Sequence, residues 1–162
     1  LRFATAFGIS KRMRFDLTIN EFCRDLSLGK ELTVFDAETW RPYCHVQDFS
    51  SLLSIVLEAP KNIINCEVFN AGSEENNFSK RAIVNEIKKF IPNSNVKYLD
   101  KGSDPRNYKV DFKKVKKLLG FKAQYSIRMG IEEVINAVKQ NLFHNNTKNL
   151  NQYGNFDLSG IK

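Results

Sequence analysis

Cysteine, tryptophan, histidine and proline are all scarce in this chain: three, one, two and four residues in 162. Cys23, Cys44 and Cys66 form no CxxC pair and no Cys/His cluster with zinc-ligand spacing, which excludes zinc-finger and dithiol-redox readings. An odd thiol count without a secretion signal fits a reducing, cytoplasmic setting, with all three cysteines expected as small apolar core residues. No apolar run approaches the roughly 18 residues that span a bilayer. Arg2, Lys11, Arg12 and Arg14 break the first apolar segment, which also lacks a small-residue cleavage site, so neither a membrane span nor a signal peptide is expected. There is no internal repeat, no low-complexity linker and no GxGxxG loop.

What is present is ordinary for a globular domain: 42% hydrophobic and 27% charged residues, with length enough for a real core. The net charge is +7, and "KRMR" and "DFKKVKKLLGFK" invite a nucleic-acid reading. In the second block, however, Phe112, Val115, Leu118 and Leu119 recur at helical spacing and leave Lys113, Lys114, Lys116 and Lys117 on a solvated face. A small anionic ligand suits the charge better than a polynucleotide. The chain begins at Leu1, inside what reads as a core strand, "LRFATAFG", so it is expected to be the C-terminal piece of something longer.

Along the chain, strands and helices alternate. Residues 1–6 read as a strand; a helix starts at Asp16 or Thr18, either able to cap it, and ends at Gly29. "ELTVF" and "RPYCHV" read as short strands, Pro42 biasing Arg41 away from helix. The next helix spans about Gln47 to Glu58, with Phe49, Leu52, Leu53, Val56 and Leu57 facing the core. "EVFNAG" is a buried strand, Ser79 caps a helix carrying Ile83, Val84, Ile87 and Ile91, and "VKYL" and "YKV" are strands flanking "DKGSDPRN". The Lys-rich helix and a last helix from about Ile127 to Leu142 complete an α/β pattern, followed by an Asn-rich tail expected to be extended or partly disordered.

Taken in order, "LRFATAFG", "LSLGKELTVF", "WRPYCHVQDFSSLL", "EVFNAGS", "DKGSDPRNYKVD" and "KKVKKLLGF" resemble the C-terminal half of the extended short-chain dehydrogenase/reductase family, the nucleotide-sugar epimerases and dehydratases. The resemblance covers roughly residues 1–140 and implies a small mixed α/β substrate-binding domain plus a late strand of a Rossmann sheet whose N-terminal part is missing. It divides the chain into a residual Rossmann strand and loop (1–14), a substrate-binding α/β region (15–142) and the tail (143–162). It further implies NAD or NADP bound mainly by an N-terminal Rossmann half, a nucleotide-diphosphate sugar as substrate, a homodimer when full length, and no nucleic-acid or membrane partner. The family's Tyr-x-x-x-Lys pair is absent, since none of Tyr43, Tyr98, Tyr108, Tyr125 and Tyr153 has lysine four residues on, so no catalytic residue and no metal ligand is expected here.

The resemblance also assigns roles. Arg41, in R-x-Y-x-H-V-x-D, reaches the substrate pyrophosphate, a task suited to a planar guanidinium; the bland alternative is a surface salt bridge. Arg106 is the second phosphate-binding arginine, with Asp104 orienting it or touching a ribose; the alternative is a loop ion pair between the two. Thr5 lies near the sugar and Ala6 near the nicotinamide, though relatives often carry "N-P" or similar there, which leaves the sugar open. Arg12 and Arg14 contact substrate or form a solvated or oligomer-facing loop. Asp16, Leu17 and Asn20 begin a helix beside the phosphates and base, Asn20 being the base contact; Trp40 stacks on a base or merely packs. His45 and Asp48 read as structural, His45 bonding backbone at the strand–helix junction and Asp48 favouring the helix N-terminus. The alternatives to the enzyme reading are a non-catalytic nucleotide-binding or scaffold relative and a basic nucleic-acid module.

Overall fold

The computed structural model describes residues 1–100 and 106–143. Its first strand is interrupted. β1 (Arg2–Phe3) runs parallel to β5 (Asn70–Ala71), whereas β2 (Thr5–Phe7) runs parallel to β4 (Trp40–His45). The expected single strand over 1–6 is thus two, because the chain changes partner at Ala4, whose N–H still donates to the Ala71 carbonyl at 3.0 Å. β4 changes partner as well. Its first half pairs antiparallel with β6 (Asn77–Ser79), Arg41 opposite Phe78; its second half pairs with β2, placing Thr5, Ala6 and Phe7 opposite Tyr43, Cys44 and His45. Pro42, which has no N–H for a ladder, sits at that changeover. β3 (Leu32–Phe35) and β7 (Val96–Leu99) form a separate parallel pair.

Among the described residues the α-helices are α1 (Thr18–Ser27), α2 (Val46–Glu58), α3 (Lys61–Ile64), α4 (Lys80–Lys88), α5 (Lys113–Leu119) and α6 (Ile127–Lys139). The fold is mixed α/β with small parallel and mixed sheets, as expected. One core joins Phe7, Ile19, Phe22, Ile83, Ile131 and their neighbours from β2, α1, α4 and α6; a second joins Leu52, Phe69, Phe112, Val115 and Phe121. Gly130 sits where α6 meets β2, and a Cβ there would lie 2.3 Å from the Phe7 ring, so only glycine permits the approach. Ser79 caps α4 as expected, its hydroxyl accepting the Ala82 N–H at 3.2 Å.

Several sequence expectations fail for identifiable reasons. α1 has neither side-chain cap: Leu17 holds the N-cap position, Asp16 is engaged by Arg14, and the Thr18 side chain hydrogen-bonds Tyr43. "YKV" (108–110) is not a strand, because Asn77 does a ladder's work from its side chain, accepting the Val110 N–H at 3.0 Å and donating to the Val110 carbonyl at 3.1 Å. "EVFNAG" yields only the two residues of β5, and Val68 is 47% exposed. On α2, Leu52 is buried but Leu53 and Leu57 are 46% and 85% exposed; periodicity marks an apolar face without saying what covers it. Leu118 likewise lies outside the core, and α6 ends at Lys139 rather than Leu142. The tail from 144 onward lies outside the described residues.

Cys66 corrects the cysteine expectation. Cys23 and Cys44 are buried, and burial pushes both thiols up, so neither is a poised nucleophile. Cys66 is exposed and has φ of +58°, a left-handed conformation that costs an L side chain about 1 kcal/mol. Cys66→Gly should therefore raise stability by roughly 0.5–1 kcal/mol in urea unfolding; a destabilised variant would show that the side chain contributes a contact worth more than the strain.

Candidate functional site

The carboxyl ends of β2 and β4, together with the edge of β4 that carries Arg41, gather most of the residues marked in the sequence. Arg41 is half-buried; its Nη1 donates to the Trp40 carbonyl at 2.8 Å, and its guanidinium carbon lies 5.3 Å from the centre of the Tyr108 ring. The segment that begins at Arg106 lies along the same edge: Tyr108 N–H donates to the Trp40 carbonyl at 3.2 Å, and Trp40 N–H donates to Asn107 Oδ1 at 2.9 Å. These bonds bring the backbone flanking Arg106, itself exposed, to the strand that bears Arg41. Lys109 covers Trp40, its Nζ 3.6 Å from the ring centroid, so one face of that indole already carries a cation. Pro42, Tyr108, Val110 and Phe112, with Arg2 and Phe3, help line a cleft of about 220 Å³. Asp104 falls outside the described residues.

A second group surrounds the loop that follows β2. Gly8 has φ of +98°, and a Cβ there would come within 2.1 Å of His45 Nε2, so the turn requires glycine twice over. Asn20, from the first turn of α1, is 2% exposed. Its Oδ1 accepts the Gly8 N–H at 3.1 Å and its Nδ2 donates to the Arg14 carbonyl at 3.0 Å. Both ends of the amide are committed to the 8–14 loop, so Asn20 fixes the loop instead of presenting itself to a base. Arg14 is turned onto Asp16 through two bonds, Nε–Oδ1 at 3.0 Å and Nη2–Oδ2 at 2.5 Å, and this guanidinium holds the Asp16 carboxyl below its usual range. Thr5, Ala6 and Leu17 are each half-buried, the first two in register with Tyr43 and Cys44. Burial pushes the Tyr43 hydroxyl up to about 12.

His45 bonds backbone at the strand–helix junction as expected, whereas Asp48 serves a distant turn and not the start of its own helix. His45 is fully buried; its Nδ1 accepts the Gln47 N–H at 3.2 Å, and its Nε2 lies 2.8 Å from Glu133 Oε2. Tyr125 stacks on the imidazole at 4.1 Å with 10° between the planes. Asp48, instead of serving its own helix, accepts the backbone N–H groups of Gln124 at 2.8 Å and Tyr125 at 3.1 Å. Glu133, Tyr125, Asn77 and Tyr108 are the site residues that sequence reading missed; only Tyr108, beside the marked Arg106, stood near a recognisable motif.

Among the described residues no three His, Cys, Asp or Glu side chains gather as a metal ion would need, and no helix is long and apolar enough to cross a membrane.

No family profile matches the chain. An uncharacterised protein of Methanocaldococcus jannaschii is 28% identical over 154 aligned residues, covering 87% of this chain and 42% of that protein. The UDP-glucuronic acid 4-epimerase of Bacillus cereus, solved with UDP-glucuronic acid and NAD, is 27% identical and superposes with a TM-score of 0.74 over 86% of this chain and 44% of that one. The UDP-glucose 4-epimerase of Thermotoga maritima, solved with UDP-glucose, shares the fold at 21% identity, with a TM-score of 0.73 over 87% of this chain and 45% of its own. The chain thus spans somewhat less than half the length of these relatives, and its fold is part of the short-chain dehydrogenase/reductase type found in UDP-sugar epimerases.

Proposed function

We propose that this chain is the nucleotide-sugar-binding portion of an NAD(P)-dependent epimerase or dehydratase. The observation that carries the reading is the convergence on β4, where the segment flanking Arg106 is hydrogen-bonded to the strand that bears Arg41. Two guanidinium groups on adjacent backbones suit a diphosphate, whose oxygens accept paired N–H donors from two directions. The 27% identity to an epimerase solved with UDP-glucuronic acid supports the same ligand class. In this reading Thr5 lies beside the sugar, Leu17 beside the nucleotide, and Ala6 faces a nicotinamide held mainly by residues outside this chain. Asn20 and Arg14 shape the 8–14 loop. The catalytic tyrosine and lysine are likewise supplied from elsewhere, so the binding energy of the diphosphate places the sugar carbon for hydride transfer to the cofactor.

The test is calorimetric titration of the full gene product with UDP-glucuronate, UDP-glucose, GDP-mannose, free UDP and pyrophosphate. At least one nucleotide sugar should bind, with pyrophosphate a weaker competitor for the same site. A protein that binds no member of the panel, or that binds duplex DNA with a steep salt dependence which nucleotide sugars do not compete away, overturns the reading.

A further inference from the structure

We propose that Glu133 is a positioning residue of this site: from α6 it fixes the carboxyl ends of β2 and β4, the two strands that carry the ligand-facing residues. The inference deepens the nucleotide-sugar reading and rests on it. A single carboxylate oxygen, Oε2, lies 2.8 Å from His45 Nε2 and accepts the Ile9 N–H at 3.4 Å. Because His45 Nδ1 already accepts from the Gln47 N–H, the ring carries its proton on Nε2 and donates it to Glu133. The imidazole cannot swing away. It is fully buried, stacked on Tyr125 at 4.1 Å, met edge-on by Phe7 at 5.2 Å, and pressed by the Gly8 backbone.

Phe7 and His45 are register partners in parallel strands, and the loop carrying Ile9 leaves β2 immediately after Phe7. Ligands of open parallel sheets bind outside the carboxyl ends of the strands. Glu133 therefore spans the two strand ends beside which a ligand would lie. Asn20 holds the same loop from α1, at Gly8 and Arg14. Of the three anchors, Asn20 and His45 are buried at 2% and 0% exposure, whereas the Glu133 side chain is 36% exposed, so it can be changed without emptying the core.

The geometry makes a distinctive demand on substitution. Both contacts go to one oxygen, so glutamine, with one carbonyl oxygen in the same place, retains them, and alanine loses both. In the full gene product, well below its melting temperature, Glu133→Ala should weaken calorimetric affinity for the nucleotide sugar that wild type binds by about tenfold, and Glu133→Gln by no more than about threefold. Amide exchange at Ile9 and Ser10 should speed up in the alanine variant and stay near wild type in the glutamine variant. A purely structural role would lower the melting temperature and the active fraction but leave the affinity of the folded fraction unchanged. Equal exchange at Ile9 in wild type and Glu133→Ala overturns the proposal whatever the ligand does, and so does unchanged affinity when exchange is faster. A wild-type protein that binds no nucleotide sugar marks instead the failure of the reading on which the proposal rests.

Discussion

Arg41→Ala is expected to cut affinity for the nucleotide sugar by roughly 10–100-fold, the range for losing one or two hydrogen bonds from a charged donor to a phosphate. Arg41→Lys should recover only a minor part of that loss. A lysine keeps the charge but not the planar fork, and the fork is what lets one group grip two oxygens while Nη1 stays on the Trp40 carbonyl at 2.8 Å. That bond and the Tyr108 ring 5.3 Å away hold the guanidinium in place before any ligand arrives, which reduces the ordering cost of binding. The folded state loses a partly exposed cation–ring contact worth about 0.5–1 kcal/mol and the bond to the Trp40 carbonyl, worth about as much again. The measurement is paired calorimetry and thermal unfolding on the three proteins. Equal dissociation constants for wild type and Arg41→Ala would remove Arg41 from the site, and with it the main support for the proposed ligand. Equal loss in the alanine and lysine variants would confirm the fork; full recovery by lysine would reduce its role to simple charge.

How far the sequence anticipates this arrangement depends on how local each signal is. Ser79 three residues before Ala82 is a cap visible in the chain itself, and it forms. The extended setting of Arg41 follows from Pro42, and the strand is there. Asn20 shows the limit of a motif: the direction of its amide depends on where the Gly8 turn and the Arg14 carbonyl come to rest. The His45–Glu133 contact joins residues 88 positions apart, and no pattern of spacing in a single sequence pairs them. Asn77 likewise bonds both backbone groups of Val110 from 33 positions away, so "YKV", read from β-propensity as a strand, forms none. On α2 the period of the apolar residues is right, yet exposure of Leu53 and Leu57 is decided by what packs there, which periodicity does not contain.

The second large effect falls on Asp48. Asp48→Ala should lower unfolding free energy by about 3 kcal/mol, from two charge-assisted bonds worth roughly 1.5–3 kcal/mol each, less the relief of no longer burying a carboxylate. Asp48 is 1% exposed at the start of α2, and it accepts the N–H groups of Gln124 and Tyr125, which lie just before α6. Those bonds fix the turn that stacks Tyr125 on His45 and sets Ser126 to cap α6 through the Met129 N–H at 3.3 Å. The loss should therefore reach beyond the turn, loosening the helix from which Glu133 acts. Asp48→Asn keeps one acceptor but turns an NH2 toward the other N–H, so it should recover less than half of the deficit. In thermal unfolding, about 3 kcal/mol corresponds to a fall of roughly 6–12 °C for a domain of this size. A loss below about 1 kcal/mol would mean that water satisfies the two N–H groups once the carboxylate is gone. The Asp48 contact would then be one bond among many, and α6 would keep its position through its core packing, Gly130 on Phe7 and Ile131 among the residues of β2, α1 and α4.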